Sequence, residues 1–148
     1  VVSTDTANIL KAQNPDVGVF EPAEWVKADS QVYATTKSAL QEKGETIRKF
    51  MAGLRDAVAA MVADESLDET IKVLRSKYSF STLNDDNIAK QSLQMARESW
   101  LGDEGPDKLL VTNEERWAAG YKELADAGMV PGGADPKPWF DNSFLPNA

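Results

Sequence analysis

The sequence predicts an α/β chain that is mostly helical, with two or three short strands confined to its first 40 residues. Three observations predict it. Apolar residues recur every three or four positions along most of the chain after Lys37, the period of helices that bury one face. Two segments rich in β-formers, near 17–21 and 31–36, are set off by turn residues. The end of the chain, after Pro131-Gly132-Gly133, has no helical period at all.

In chain order, Thr4 to Gln13 suits a short helix stopped by Asn14-Pro15, because the residue before a proline is pushed out of the helical region. In DVGVFEPAEWV, Val17, Val19 and Glu21 alternate with Gly18 and Phe20 between Asn14-Pro15-Asp16 and Pro22, which predicts a strand at about 17–21 and then a loop through Glu24-Trp25. Gln31 to Thr36 suits a second strand. Next, Ile47, Phe50, Met51, Leu54, Val58, Met61 and Val62 line one face of a five-turn helix. Ser66-Leu67-Asp68-Glu69 reads as a capping box opening a helix that carries Leu67, Ile71, Leu74 and Tyr78. A third helix, from about Asp85 to Leu101, stacks Ala89, Leu93, Ala96 and Trp100 and stops at Gly102. A second capping box, Thr112-Asn113-Glu114-Glu115, opens a fourth with Trp117, Tyr121 and Leu124 on its stripe. Gly128 stands at its left-handed end with Met129 placed to close it, and Trp100 and Trp117 are expected in the core. The tail DPKPWFDNSFLPNA is expected as an extended strap held by Trp139, Phe140, Phe144 and Leu145.

Composition excludes several functions. A net charge of -8, from 24 acidic and 16 basic residues, repels phosphate backbones, and no basic cluster opposes it, so nucleic acid is not an expected partner. Cysteine and histidine are absent, which removes thiol nucleophiles, Cys/His zinc sites and imidazole acid–base schemes. No apolar run approaches the ~18 residues that cross a bilayer. The acidic runs Asp64-Glu65-Ser66-Leu67-Asp68-Glu69 and Asn84-Asp85-Asp86-Asn87 lack the alternating pattern of a calcium loop and are expected to be helix caps. No metal, cofactor or catalytic residue is expected.

Two strands cannot build a sheet with its own core, and a lone hairpin is marginal in water. The four later helices therefore read as the outer layer of an α/β domain whose other strands lie elsewhere. The opening VVSTDT, with neither an initiator methionine nor a signal segment, fits a polypeptide whose signal peptide has been removed or that is part of something longer.

This layout resembles the C-terminal stretch of the SsuA/THI5-like (NMT1-like) solute-binding proteins of ABC importers. The stretch VYATTKSALQEKGETIRKFMAGLRDAV matches the family's second strand and following helix, with Gly44-Glu45 where Pro-Glu is frequent. DESLDETIKVLRSKY, WAAGYKELADAGMV and WFDNSFL follow in the family's order, so the resemblance runs over roughly residues 14–145. The loop EPAEWVKADS replaces the Asp-Tyr-Gly-like turn of many members. The resemblance implies a periplasmic-binding-protein type II fold of two lobes that close over a solute. Residues 1–40 would be the strand-containing end of the second lobe and the hinge return, 41–130 the C-terminal helical layer and 131–148 the strap. It also implies a periplasmic, or lipid-anchored extracellular, location and the membrane subunits of an ABC permease as partners.

Within that reading the expected ligand-binding residues are Glu21, Glu24 and Trp25 on the loop after the first strand and Tyr33 and Thr35 on the second. Loops at strand ends hold ligands in α/β proteins. A tryptophan stacks on flat solutes, while carboxylates and hydroxyls orient them. Relatives take sulfonates, nitrate, aromatic acids and pyrimidines; the missing histidine and the scarcity of arginine near the loop argue against a strongly anionic solute. Two other functions are weighed beside it: a thiamine-precursor-type enzyme of the same fold, and a free-standing helical interaction domain. A part of such a domain is further expected to self-associate through exposed strand edges.

Overall fold

The computed structural model describes residues 4–20 and 32–146. Among these residues the regular structure is helical throughout. The helices are α1 (Thr4–Gln13), α2 (Lys37–Ala63), α3 (Asp68–Lys77), α4 (Asp86–Leu101) and α5 (Glu114–Asp126), with short 3-10 turns at Ser81–Asn84, Pro106–Lys108, Lys137–Trp139 and Asn142–Phe144. The strand predicted at 17–21 is not formed over its described part, 17–20, and the one predicted at 31–36 is not formed over 32–36. Both expectations are corrected for one reason: a strand is defined by its ladder, and no neighbouring strand pairs with either segment among the described residues. The α/β expectation for the chain itself gives way there to an all-helical architecture.

The chain divides into two compact units. The first takes residues 1–20 and 56–109, so it holds α1, the last turns of α2, α3 and α4. Its core is a cluster of Met61, Leu67, Ile71, Leu83 and Ala89, with Leu74 and Leu93 packed against it. These are positions that the helical period places on one face, joined by Leu83 from the 3-10 turn. Helix α1 lies beside α4, where the Asn8 amide donates to Ser92 Oγ at 3.3 Å and to Met95 Sδ at 3.5 Å. Arg97 Nε donates to the Val62 carbonyl at 2.8 Å, satisfying one of the acceptors that the end of α2 leaves without an intrahelical partner.

The start of α3 departs from the predicted capping box. Leu67, not Ser66, is the N-cap, in the left-handed region at φ 61° and with no side-chain cap bond. The residue that organises the turn is Asp64. Its Oδ2 accepts from the Thr70 backbone N–H and the Thr70 hydroxyl, both at 2.8 Å, and its Oδ1 accepts from Ser66 Oγ at 3.3 Å. Helix α4 begins as expected: Asp85 accepts from the N–H groups of Asn87 (2.9 Å) and Ile88 (3.1 Å). Trp100, expected in the core, sits at the last turn of α4 and stays 39% exposed.

The second unit takes residues 21–55 and 110–148. Its part of α2 kinks at Lys43 (φ -127°, ψ 20°), immediately before Gly44, a residue with little helical preference. Helix α5 is capped by Asn113, whose side chain accepts from Arg116 N–H at 2.9 Å; the N-cap is one residue later than predicted, and Arg116 rather than Glu115 stands at its third position. At its other end Gly128 takes φ 70°. Met129 N–H reaches the Leu124 carbonyl and Gly128 N–H that of Ala125, both at 2.9 Å, which is the Schellman pattern. Met129 itself remains exposed, so the hydrophobic closure expected of it is absent.

The tail folds into two 3-10 turns rather than a fully extended strap. Asn142 pins it by donating to the Thr112 carbonyl (2.9 Å) and accepting from the Thr112 N–H (3.0 Å). Leu145 is buried, and Trp139 is exposed but meets Tyr121 edge-to-face at 5.2 Å. Trp117 donates to the Pro136 carbonyl at 3.0 Å and Tyr121 to that of Pro131 at 2.7 Å. These bonds let half-buried aromatic rings hold an irregular segment while keeping their polar ends satisfied.

Candidate functional site

Of the five expected ligand-binding residues, Glu21, Glu24 and Trp25 lie outside the described residues. Tyr33 and Thr35 stand on the non-helical segment that leads into α2, and both are exposed. The Tyr33 ring meets the edge of Phe50 at 6.0 Å with the planes 70° apart, and the two rings are 66% and 56% exposed. The segment ends in an N-cap: Thr36 Oγ1 accepts from Ala39 N–H at 3.1 Å and lies 3.0 Å from Ser38 Oγ. Tyr33 therefore presents a largely exposed ring on the segment that leads into α2.

The first unit carries two further concave surfaces. One is an open groove beside the α2–α3 turn, lined by Lys11, Glu65, Leu67, Lys90, Met95 and Glu98 among others. Lys90 is committed to Asp68 at 2.6 Å. Its hydrogen bond to Asp68 holds the ammonium charged above its usual range, and the same bond holds Asp68 below the ordinary carboxylate value. Asp64 is lowered as well, first by the Thr70 N–H and then by the Thr70 hydroxyl. Both carboxylates thus act as fixed anions of the turn.

The other surface is an open bowl at the α3–α4 junction, lined by Arg75, Tyr78 and the run from Leu83 to Asn87. The Arg75 guanidinium is spent within the fold: Nε and Nη2 donate to the Leu83 carbonyl at 2.7 and 2.5 Å, and Nη2 also reaches Asp86 Oδ1 at 2.6 Å. In the sequence Tyr78 falls on an apolar stripe and Asn84 to Asn87 in a cap, with nothing to connect them. The Tyr78-x-Phe80 spacing on a non-helical segment was the available signal, since alternate residues on extended backbone share a side. Among the described residues no group of three or more Asp or Glu side chains is placed to hold a metal ion, and no helix is long and apolar enough to cross a membrane.

Residues 2–66 match the family model described as NMT1/THI5 like, so this stretch is similar to that family. The resemblance read from the sequence holds over these residues, which include all five expected ligand-binding positions; the match spans under half of the chain. No curated protein matches, and neither does any solved structure.

Proposed function

We propose that the chain is part of the extracytoplasmic solute-binding component of an ABC importer, a protein that captures a small organic solute and delivers it to a membrane permease. The single observation that carries this reading is the family match over residues 2–66. In this reading the fold of the parent protein is of the periplasmic-binding-protein type II, and the location is periplasmic or lipid-anchored outside the membrane. Residues 1–40 supply the end of the second lobe and the hinge return, 41–130 the C-terminal helical layer, and 131–148 the strap. Glu21, Glu24 and Trp25 form the solute-facing loop, joined by Tyr33 and Thr35. The exposed Tyr33 ring supports this assignment, because it is an aromatic surface that a flat solute could meet.

The test is a melting screen of the natural polypeptide that carries these residues, against organic sulfonates, nitrate, aromatic acids and pyrimidines. A solute present at a hundredfold its Kd stabilises the folded state by about 2.7 kcal/mol. Trp25→Ala is expected to weaken the responding solute about tenfold, the equivalent of one lost stacking contact. The solute should be recovered chemically unchanged after prolonged incubation. Its conversion would overturn the binding-only reading in favour of an enzyme, which the THI5 branch of the family also contains.

A further inference from the structure

We propose that the bowl at the α3–α4 junction is a second binding site, for a neutral polyhydroxylated ligand of which a pyranoside is the simplest form. The bowl is open to solvent, with about 640 Å³ within its walls. It belongs wholly to the first unit and lies outside residues 2–66, so it is separate from the solute site proposed above.

Its lining includes one aromatic ring, Tyr78, which is paired with the neighbouring ring of Phe80. Tyr78 and Phe80 both have extended backbone (φ -134° and -109°), which sends alternate side chains to the same side. Their rings stack at 5.6 Å with the planes 16° apart. Yet they are 57% and 56% exposed, so the pair serves no core. The rest of its lining, Leu83 apart, is polar and holds both donors and acceptors. The side-chain amides of Asn84 and Asn87 make no hydrogen bond among the described residues. Asp85 commits Oδ1 to the helix cap and Asp86 commits Oδ1 to Arg75, which leaves an oxygen of each carboxylate to accept.

The charge balance selects the ligand. Arg75 is paired and bonded to a carbonyl, so the bowl has no spare cation to attract an anion. The N-terminus of α4 offsets part of the acidic charge of Asp85 and Asp86, so an organic cation gains little either. A pyranoside fits what remains. Its C–H face packs on the Tyr78 ring, and its hydroxyls both donate to carboxylates and accept from amides. An open bowl leaves much of the ligand in water, which places the affinity in the millimolar range, about 4 kcal/mol.

The experiment is a titration of the isotopically labelled chain, followed by amide NMR, with methyl β-glucopyranoside and maltose. Benzylammonium and methanesulfonate serve as charged comparisons. The expected result is saturable shifts at Ser79, Asn84 and Asn87 with either sugar and none with methanesulfonate. Tyr78→Ala and Asn87→Ala should each weaken the sugar at least about fivefold, whereas Tyr78→Phe retains it. Trp25→Ala, which tests the other site, should leave these shifts unchanged. The proposal is overturned if neither sugar shifts these amides up to about 100 mM. It is equally overturned if Tyr78→Ala shifts as strongly as the parent chain, or if benzylammonium produces the larger saturable effect.

Discussion

Single residues carry the sharpest constraints in this molecule. Gly128 is left-handed at φ 70°, and a Cβ there would meet no atom within 4 Å, so the conformation alone demands glycine. Gly128→Ala is expected to lower stability by about 1 kcal/mol, read as a fall in the urea midpoint at constant m-value. Leu67 is the opposite case. It holds φ 61° and yet is 3% exposed within the core cluster, so burial outweighs backbone preference. Leu67→Gly would relax the dihedral but forfeit about 2–3 kcal/mol of apolar burial and leave a void, for a net loss that the same unfolding curve reports. Asp64 and Asp68 give a pH dependence. Both carboxylates are held below their ordinary value of 3.8. Each therefore contributes stability that is complete above that value and lost as pH falls through its lower folded-state value. Lys90, raised above 10.5, contributes below that value and loses its contribution as pH rises through the folded one. A melting series across pH should accordingly be flat with respect to these three groups between the two limits and should fall at both ends. Asp64→Asn should flatten the acid limb.

At the level of elements, the helices were legible and their ends only partly so. The apolar period found α2 to α5 because each buries a stripe, and Asn14-Pro15 located the stop of α1. Caps depend on the dihedral of one residue, and there the sequence offered neighbouring candidates. Thr112 and Asn113 are both good N-caps, and the structure uses Asn113; the sequence points to Ser66, whereas the carboxylate of Asp64, two residues earlier, organises the turn. The strands failed for a different reason. Val17 to Phe20 and Val32 to Thr36 have β-rich composition, but propensity describes fitness for a pleated surface and does not supply the partner. The loop at Glu21, Glu24 and Trp25 was legible through its composition alone, whereas the bowl at α3–α4 was hidden because its residues were accounted for one at a time as caps and stripes. Asp85 tests the element directly. Asp85→Ala removes the cap of α4 and is expected to cost about 1 kcal/mol, with amide exchange rising first over Asn87 and Ile88.

For the molecule as a whole, the buried set is small. Val58, Met61, Val62, Leu67, Ile71, Leu83, Ala89, Leu109 and Leu145 are the buried apolar residues among those described, and no polar side chain is buried there. Stability must then rest on few contacts, so Leu83→Ala is expected to cost about 2–4 kcal/mol, a large share of a typical domain's 5–15 kcal/mol. Thermal unfolding of this variant against the parent chain measures it. Phe20, Val32, Tyr33, Phe50, Val73, Phe80, Met129 and Trp139 stand at the surface instead, a pattern that accords with a chain whose partners include further protein. Self-association through strand edges finds no edge among the described residues; exposed side chains are the surfaces that remain for it.

Those exposed rings and the net charge of -8 together make colloidal behaviour depend on ionic strength. Like charge keeps copies of the chain apart while the ionic atmosphere is thick. At about 1 M salt the screening length shrinks to ~3 Å, and repulsion no longer reaches across the gap between two approaching aromatic surfaces. The same barrier vanishes near the isoelectric point of 4.6. Dispersal of this chain in dilute buffer is thus expected to depend on its 24 acidic residues more than on the coverage of its apolar surface.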